Sequence, residues 1–441
     1  MLTTNEAAKI LGVSRRRVLS LIESGQLPAQ KTGNMWLLEE EAVAQLNKPG
    51  ARKVGRPKNG SRVMESRFVL MNRTYPIADV VYDASSREFT SIGSLQDNRR
   101  APLGLASPQG SISPFSFNSW WRNRGIPEGR TNIQEILSSA GISVATELSL
   151  RSLGLSLSDQ YWLCPFESGI KWENVNFFNN TFPDTLHIEG STEFSLHPDN
   201  TSDGILAKHW VVRNGKRILL KGGNHNNQEP FNEVIATALH KRLLKHGEYV
   251  PYHLDQLEGK PASACTCFVG DNEEFIPALY VAKSMAQPAH HNDYQHYVEC
   301  CTALGIGSVQ SSLARTIVCD NILANTDRHA RNYGIIRNVE TLECRMAPIF
   351  DSGTSLWCTT PYADLKLGNY AFKSRQFNSS PAKQLLLTED LSWVDTSALE
   401  GFAEEAVAVL SKNESIQERI PYTEKAITAR VARMTAICEA L

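Results

Sequence analysis

Asn325-Thr-Asp-Arg-His-Ala-Arg-Asn-Tyr-Gly334 is a polar run held between two apolar ones. Before it, Ser308 to Ala324 carries Leu313, Ile317, Ile322 and Leu323 and reads as a helix; after it, Ile335-Ile336 reads as a strand. A second polar step, Ala347-Pro-Ile-Phe-Asp-Ser-Gly-Thr-Ser-Leu356, follows at once. A chain with this order must fold so that two polar loops are anchored in buried elements.

Phosphoryl transfer asks for these groups. One carboxylate accepts the proton of the acceptor hydroxyl, and a neutral oxygen ligand and a second carboxylate hold magnesium over the phosphates. Asp327 and Asn332 stand five apart, the interval of Asp and Asn in the H-R-D-x-x-x-x-N loop of protein kinases, and Asp351-Ser-Gly353 stands where their D-F-G does. Hard oxygen ligands suit Mg²⁺. Asp-Arg-His-x-x-Asn followed by a Phe-Asp-x-Gly step resembles the HipA-like serine/threonine kinases, and the same D-R-H-x-x-N is similar to the phosphatidylinositol 3/4-kinase loop. Asp327 is then the catalytic base, with Asn332 and Asp351 as metal ligands. His329 contacts phosphate or braces the loop, and Arg328 pairs with a carboxylate. The bland alternative is a surface turn with a salt bridge, since Asp, His and Asn are common turn residues.

A third element lies upstream. Trp210 to Gly223 reads as a hairpin with an Asn214-Gly215 turn, whose second strand delivers Lys221. A cation there can reach the α/β-phosphates of ATP, and Glu233, in the helix that Pro230 opens, is its natural partner. Ser195 to Gly204 is expected to cover the nucleotide through Thr201, Ser202 and Gly204, although it holds one glycine where kinases have three. The resemblance also implies self-phosphorylation at Thr201 or Ser202. A hinge that reads adenine belongs near the strand-like runs 265–269 and 275–281.

The N-terminal end differs in character. Residues 1–62 hold eleven Lys/Arg against five acids, a charge of +6, while the whole chain of 441 residues is at −2. A basic end on an acidic body suggests contact with a polyanion. Thr4 to Leu11 reads as a helix, Gly12-Val13 as a turn, Ser14 as the cap of a second helix with Val18, Leu19 and Ile22 apolar, and the region about Thr32-Gly33-Asn34 as two short strands before a last helix from Glu39 to Leu46. This resembles a winged helix-turn-helix of the excisionase/MerR type, with Arg15, Arg16 and Arg17 opening the recognition helix. Residues 48–66 have the composition of a basic flexible linker. Its Gly55-Arg56-Pro57-Lys58 resembles an AT-hook core, though a plain linker is the simpler reading.

Composition excludes other classes. Hydrophobic residues at 41% and charged ones at 21% describe a globular chain, and no run approaches the ~18 apolar residues of a membrane span. Nine cysteines without scaffold or zinc-site spacing suit buried thiols in a reducing cytoplasm, and His290, His291 and His296 suit a polar loop. Residues 67–190 show strands at 67–71 and 78–82 and a helix beginning near Phe117. Leu153 to Trp162 carries a Ser-Asp pair of the kind that caps helices, and Trp120, Trp121, Tyr161 and Trp162 are expected in the core. By the resemblance this segment packs on the N-lobe.

The sequence is thus read as α+β: a winged helix-turn-helix (1–47), a linker (48–66), an accessory segment (67–190), a kinase N-lobe (191–281) and a helical C-lobe (282–441) with helices at 385–393, 399–411 and 423–441. The expected activity is ATP- and Mg²⁺-dependent transfer to a protein serine or threonine, in a HipA-like toxin or growth regulator. The expected partners are ATP, a protein acceptor, duplex DNA through residues 1–66 and an antitoxin-like protein, with no membrane. The alternatives are a DNA-binding regulator with an inactive nucleotide-binding body, and a lipid or small-molecule kinase.

Overall fold

The computed structural model describes residues 2–11, 18–19, 21–22, 27–32, 35–40, 42–43, 65–107, 109–130, 133–139, 141–142, 144–182 and 196–440. The chain divides into two compact units, Met1–Val63 and Met64–Leu441.

In the first unit, α1 (Thr4–Leu11) starts in a capping box. The Thr3 amide donates to Glu6 Oε2 at 2.8 Å and the Glu6 amide to Thr3 Oγ1 at 3.4 Å, so two otherwise orphan donors are satisfied. β1 (Leu2–Thr3), β2 (Ala29–Thr32) and β3 (Met35–Leu38) form an antiparallel sheet in the order β1-β3-β2, one strand more than the sequence suggested. Ala7, Ala8, Leu11, Val18, Leu21, Leu27, Leu38 and Val43 make its core. Leu21, not Leu19 or Ile22, joins Val18 as the buried position of the second helix. Arg15, Arg16, Arg17, Ser14 and the Gly33-Asn34 tip lie outside the described residues.

The second unit begins with β4 (Glu65–Asn72), so Glu65 and Ser66 are strand and not linker; residues 48–64 lie outside the described residues. β4, β5 (Tyr75–Asp83), β6 (Glu88–Ile92) and β7 (Tyr161–Pro165) form a sheet in the order β6-β5-β4-β7, with α2 (Pro114–Arg122) against it. The Leu153–Trp162 stretch feeds β7 and forms no helix, and Asp159 there pairs with Arg124 instead of capping one.

A second sheet, β10-β11-β9-β8, comprises β8 (Lys208–Arg213), β9 (Lys216–Lys221), β10 (Tyr252–Leu257) and β11 (Lys260–Thr266). Asn214 (φ 51°) and Gly215 (φ 74°) supply the two left-handed residues of the β8–β9 turn. α3 (Glu229–Leu243) sits between β9 and β10 in sequence and packs on β10 and β11.

β12 (Glu273–Pro277) does not return to this sheet. It pairs with β13 (Gly334–Asn338), which pairs with β14 (Cys344–Met346). The β8–β11 sheet therefore ends in sequence at Thr266. Gly334 makes the β12–β13 approach possible, since a Cβ there would collide with the Ile276 carbonyl oxygen. α4 (Asp293–Ala303), α5 (Val309–Leu323), α6 (Phe402–Leu410) and α7 (Ile420–Glu439) build the helical lobe; the expected helix over 385–393 is confined to Pro381–Leu385.

The accessory segment packs on both sides: Trp162, Trp172 and Phe177 share a core with Trp210 of β8, and the sheet's other face meets the second lobe. Phe68, Leu70, Phe89, Trp120 and Trp121 share one core with Tyr297, Ile306, Leu313 and Ile335. A buried charge network stitches the same seam: Glu274 accepts from Asn72 Nδ2 (2.9 Å) and Arg337 Nε (2.6 Å), and Arg337 Nη2 donates to the Tyr161 hydroxyl (2.7 Å). Among the described residues, no helix is long and apolar enough to cross a membrane.

Candidate active site

The apolar face of α5 fixes where the first polar loop starts. Leu313, Ile317, Ile322 and Leu323 are buried, and Ala324 ends the helix in the left-handed conformation (φ 52°). The loop that follows is braced from within. The Asp327 amide donates to Asn325 Oδ1 (2.9 Å), and Asn332 Nδ2 donates to the Asp327 carbonyl (2.9 Å). His329 Nδ1 accepts the Arg331 amide (3.2 Å), while its other nitrogen lies 4.0 Å from Asp327 Oδ2.

Arg328 joins this loop to the Asp351 loop. Its guanidinium, 1% exposed, donates to both oxygens of Asp320 on α5 (2.8 and 2.9 Å), to the Asn332 carbonyl (2.9 Å), to Ser352 Oγ (2.9 Å) and to the Phe350 carbonyl. The planar fork is what lets one side chain serve so many acceptors. Asp320 is the carboxylate the sequence left unnamed.

At the end of β9, Lys221 Nζ lies 2.7 Å from Glu233 Oε1 and also contacts Asp351 Oδ1. Glu233 Oε2 accepts the Ser352 amide (2.9 Å), so α3 is clamped to the second loop. Gly353 permits this closeness: a Cβ there would lie 3.2 Å from Glu233 Oε1 and from the Glu229 carbonyl. Burial opposes the Lys221 ammonium, but Asp351 and Glu233 outweigh it and hold its pKa above the ordinary lysine value. Burial likewise opposes the Asp351 carboxylate, but Lys221 and Lys208 outweigh it and hold it below the usual range, so Asp351 is ionised.

Lys208 was not singled out in the sequence. It stands across the hairpin from Lys221, and burial pushes its pKa down to about 8, against the pull of Asp351 and with the repulsion of Lys221 and Arg130. Lys208, Lys221, Asp327, His329, Asn332 and Asp351 line one cavity of about 630 Å³, whose apolar lining includes Leu219, Phe268, Phe275 and Phe350. Arg375, also unforeseen, reaches Asp327 Oδ1 from an irregular segment of the helical lobe, at 2.5 Å.

The covering loop is tethered to the accessory segment. Thr201 Oγ1 donates to the Leu155 carbonyl (2.6 Å) and Ser202 Oγ to the Pro198 carbonyl (3.1 Å). Arg130 donates to the carbonyls of Ser202, Asp203 (3.2 Å) and Gly204 (3.0 Å). Both hydroxyls are thus buried and engaged; Ser195 lies outside the described residues. His291 and His296 are engaged separately, with Glu299 and the Ala282 carbonyl, and form no metal cluster with His290.

The residues fit a magnesium ion in the chemistry of their donors. The Asn332 amide nitrogen is committed to the Asp327 carbonyl, which leaves the amide oxygen as its ligand end, and Asp351 offers an ionised carboxylate in the same cavity.

Residues 1–46 match the model of a helix-turn-helix domain. The N-terminal unit is a helix-turn-helix. No curated protein matches the sequence. Among solved structures, this chain is similar to the proinflammatory kinase CtkA of Helicobacter pylori, with 18% identity and a TM-score of 0.40 over 53% of this chain and 95% of that one. The toxin–antitoxin complex of HipA with HipB and operator DNA from Shewanella oneidensis MR-1 is similar at 12% identity and a TM-score of 0.47, over 83% of this chain and 97% of that one. The body is an α+β fold in which the β8–β11 sheet stands beside a helical lobe.

Proposed function

We propose that the chain is a kinase that moves the γ-phosphoryl of ATP to a serine or threonine hydroxyl of a protein. The observation that carries this reading is the convergence of Lys221, Asp351, Asn332 and Asp327 on one cavity from separate elements, with Glu233 paired to Lys221. The apolar wall of Leu219, Phe268 and Phe350 suits a purine, and Lys208 and Lys221 of the β8–β9 hairpin suit the triphosphate. Asn332 and Asp351 would hold Mg²⁺, which would supply charge neutralisation to the phosphates. Lys221, fixed by Glu233, orients the phosphates. Asp327 takes the proton of the acceptor hydroxyl as it attacks, and Arg328 keeps the two loops in register.

One observation favours an inactive body as the second reading: Arg375 occupies the Asp327 carboxylate that the acceptor needs. Incubating purified protein with labelled ATP, Mg²⁺ and candidate acceptors separates the readings. Transfer that Asp327→Asn abolishes supports the kinase; nucleotide binding with no transfer to any protein, lipid or small molecule supports the regulator.

The N-terminal unit, with its +6 charge and Arg15–Arg17, is proposed to bind duplex DNA, taking over in one chain what a separate DNA-binding antitoxin does for HipA-like toxins. Gel-shift titration of the full chain at several salt concentrations tests this. Replacing Arg15–Arg17 by serine should flatten the salt slope by about one for each DNA phosphate that is no longer neutralised.

A further inference from the structure

His197, Asp199 and His209 come together where the turn within the covering loop meets β8. His197 caps the Pro198–Thr201 turn and His209 lies on the strand. Their ligand atoms all lie within 4.8 Å of one another, with Asp199 Oδ2 at 3.3 Å from His197 Nδ1 and 2.6 Å from His209 Nδ1.

Two details distinguish this group from an ordinary ion pair. The second carboxylate oxygen, Oδ1, accepts the Trp210 amide at 2.7 Å, which orients the carboxylate so that Oδ2 faces the imidazoles. His197 Nδ1 lies 3.2 Å from the Asp199 amide nitrogen and 3.3 Å from Asp199 Oδ2. A cation bound between the imidazole and the carboxylate would take the Nδ1 lone pair in place of the amide. The proton that His209 shares with Asp199 is the one such a cation would displace.

We propose that His197, Asp199 and His209 form a binding site for a divalent transition-metal ion of the zinc class. Two imidazoles and one carboxylate leave a fourth position for water. Mixed nitrogen and oxygen donors favour zinc, nickel or copper over magnesium or calcium. Donors of a tetrahedral zinc ion at about 2.0–2.1 Å stand closer together than 4.8 Å, and His209, partly exposed, has room to turn inward. The ion would staple the Pro198–Thr201 turn to β8 and so fix the segment that leads into Thr201–Gly204. That consequence rests on the nucleotide-covering role of the loop; the site itself does not.

The test is zinc titration of the full-length protein, stripped by chelator, in competition with a chromogenic chelator and with no nucleotide present. One tight zinc per chain is expected, weakened about tenfold or more by His209→Gln and by Asp199→Asn. His225→Gln, in the separate His225/Glu229/Cys358 group, should leave it unchanged. X-ray absorption of the zinc-loaded protein should show imidazole nitrogen and oxygen and no sulfur. Wild-type zinc affinity equal to that of His209→Gln, or a sulfur shell, overturns the assignment. Because no step uses ATP, its failure leaves the phosphoryl-transfer reading untouched, and the reverse also holds.

Discussion

Arg328→Met isolates what holds the two loops together. In the native chain Asp320 is 3% exposed and its carboxylate is met by two guanidinium bonds and by Asn325 Nδ2 at 2.8 Å. Removing Arg328 leaves a buried carboxylate with one neutral donor, and breaking a buried pair in this way costs about 3–5 kcal/mol. Three further acceptors, the carbonyls of Asn332 and Phe350 and Ser352 Oγ, are deprived of their donor at once. Adding Asp320→Asn removes the stranded charge, so the double variant should regain more than half of the missing stability. It should not regain activity. The tie between the Asp327 loop and the Asp351 loop is still absent, and a displacement of about 1 Å at a reacting centre costs about a hundredfold in rate. Denaturant unfolding followed by tryptophan fluorescence reads the second unit, which holds every tryptophan except Trp36. Phosphoryl transfer is measured on the same samples. A single variant within about 1 kcal/mol of the wild type, or a double variant with native turnover, would refute the argument that Arg328 carries both stability and register.

Asp351→Asn and Lys221→Ala should weaken binding of a non-hydrolysable ATP analogue in the presence of Mg²⁺, whereas Asp327→Asn should bind it normally and lose about 10²–10⁴ in turnover; calorimetry beside initial rates reads the split, and equal binding by all three removes Asp351 from the metal site. Lys208, with its pKa pushed down to about 8, is half charged at that pH, and bound phosphate should restore its proton. Nucleotide binding near pH 8 should therefore take up about half a proton, falling towards zero near pH 6 where Lys208 is already charged; calorimetry in buffers of different ionisation heat measures it, and an uptake that survives Lys208→Met discards the assignment. Arg375→Ala should raise basal transfer about two- to fivefold, the worth of an exposed ion pair of up to ~1 kcal/mol over Asp327; unchanged initial rates would mean that the Arg375 pairing does not gate the base.

Local order was legible where a short-range rule governs. The Asn214-Gly215 turn sets the hairpin register, and once it is set Lys208 must face Lys221; the second lysine was there to be read. The helix before Asn325 and the polar spacing of Asp327, Asn332 and Asp351 likewise placed the candidate site, because a helical period and a loop between buried elements are encoded by neighbours in the chain. Long-range choices were not legible. Nothing near residue 275 says that β12 leaves the first sheet for β13, a pairing across about sixty residues that depends on Gly334 letting two backbones approach. The seat of the accessory sheet on the second lobe was decided by which aromatic faces could share a core and by the buried Glu274–Arg337 pair. Arg375 on Asp327, Arg130 on the covering loop and the His197–Asp199–His209 group each join segments whose mutual approach is set by packing, and packing depends on the shapes of surfaces that exist only after the chain has folded.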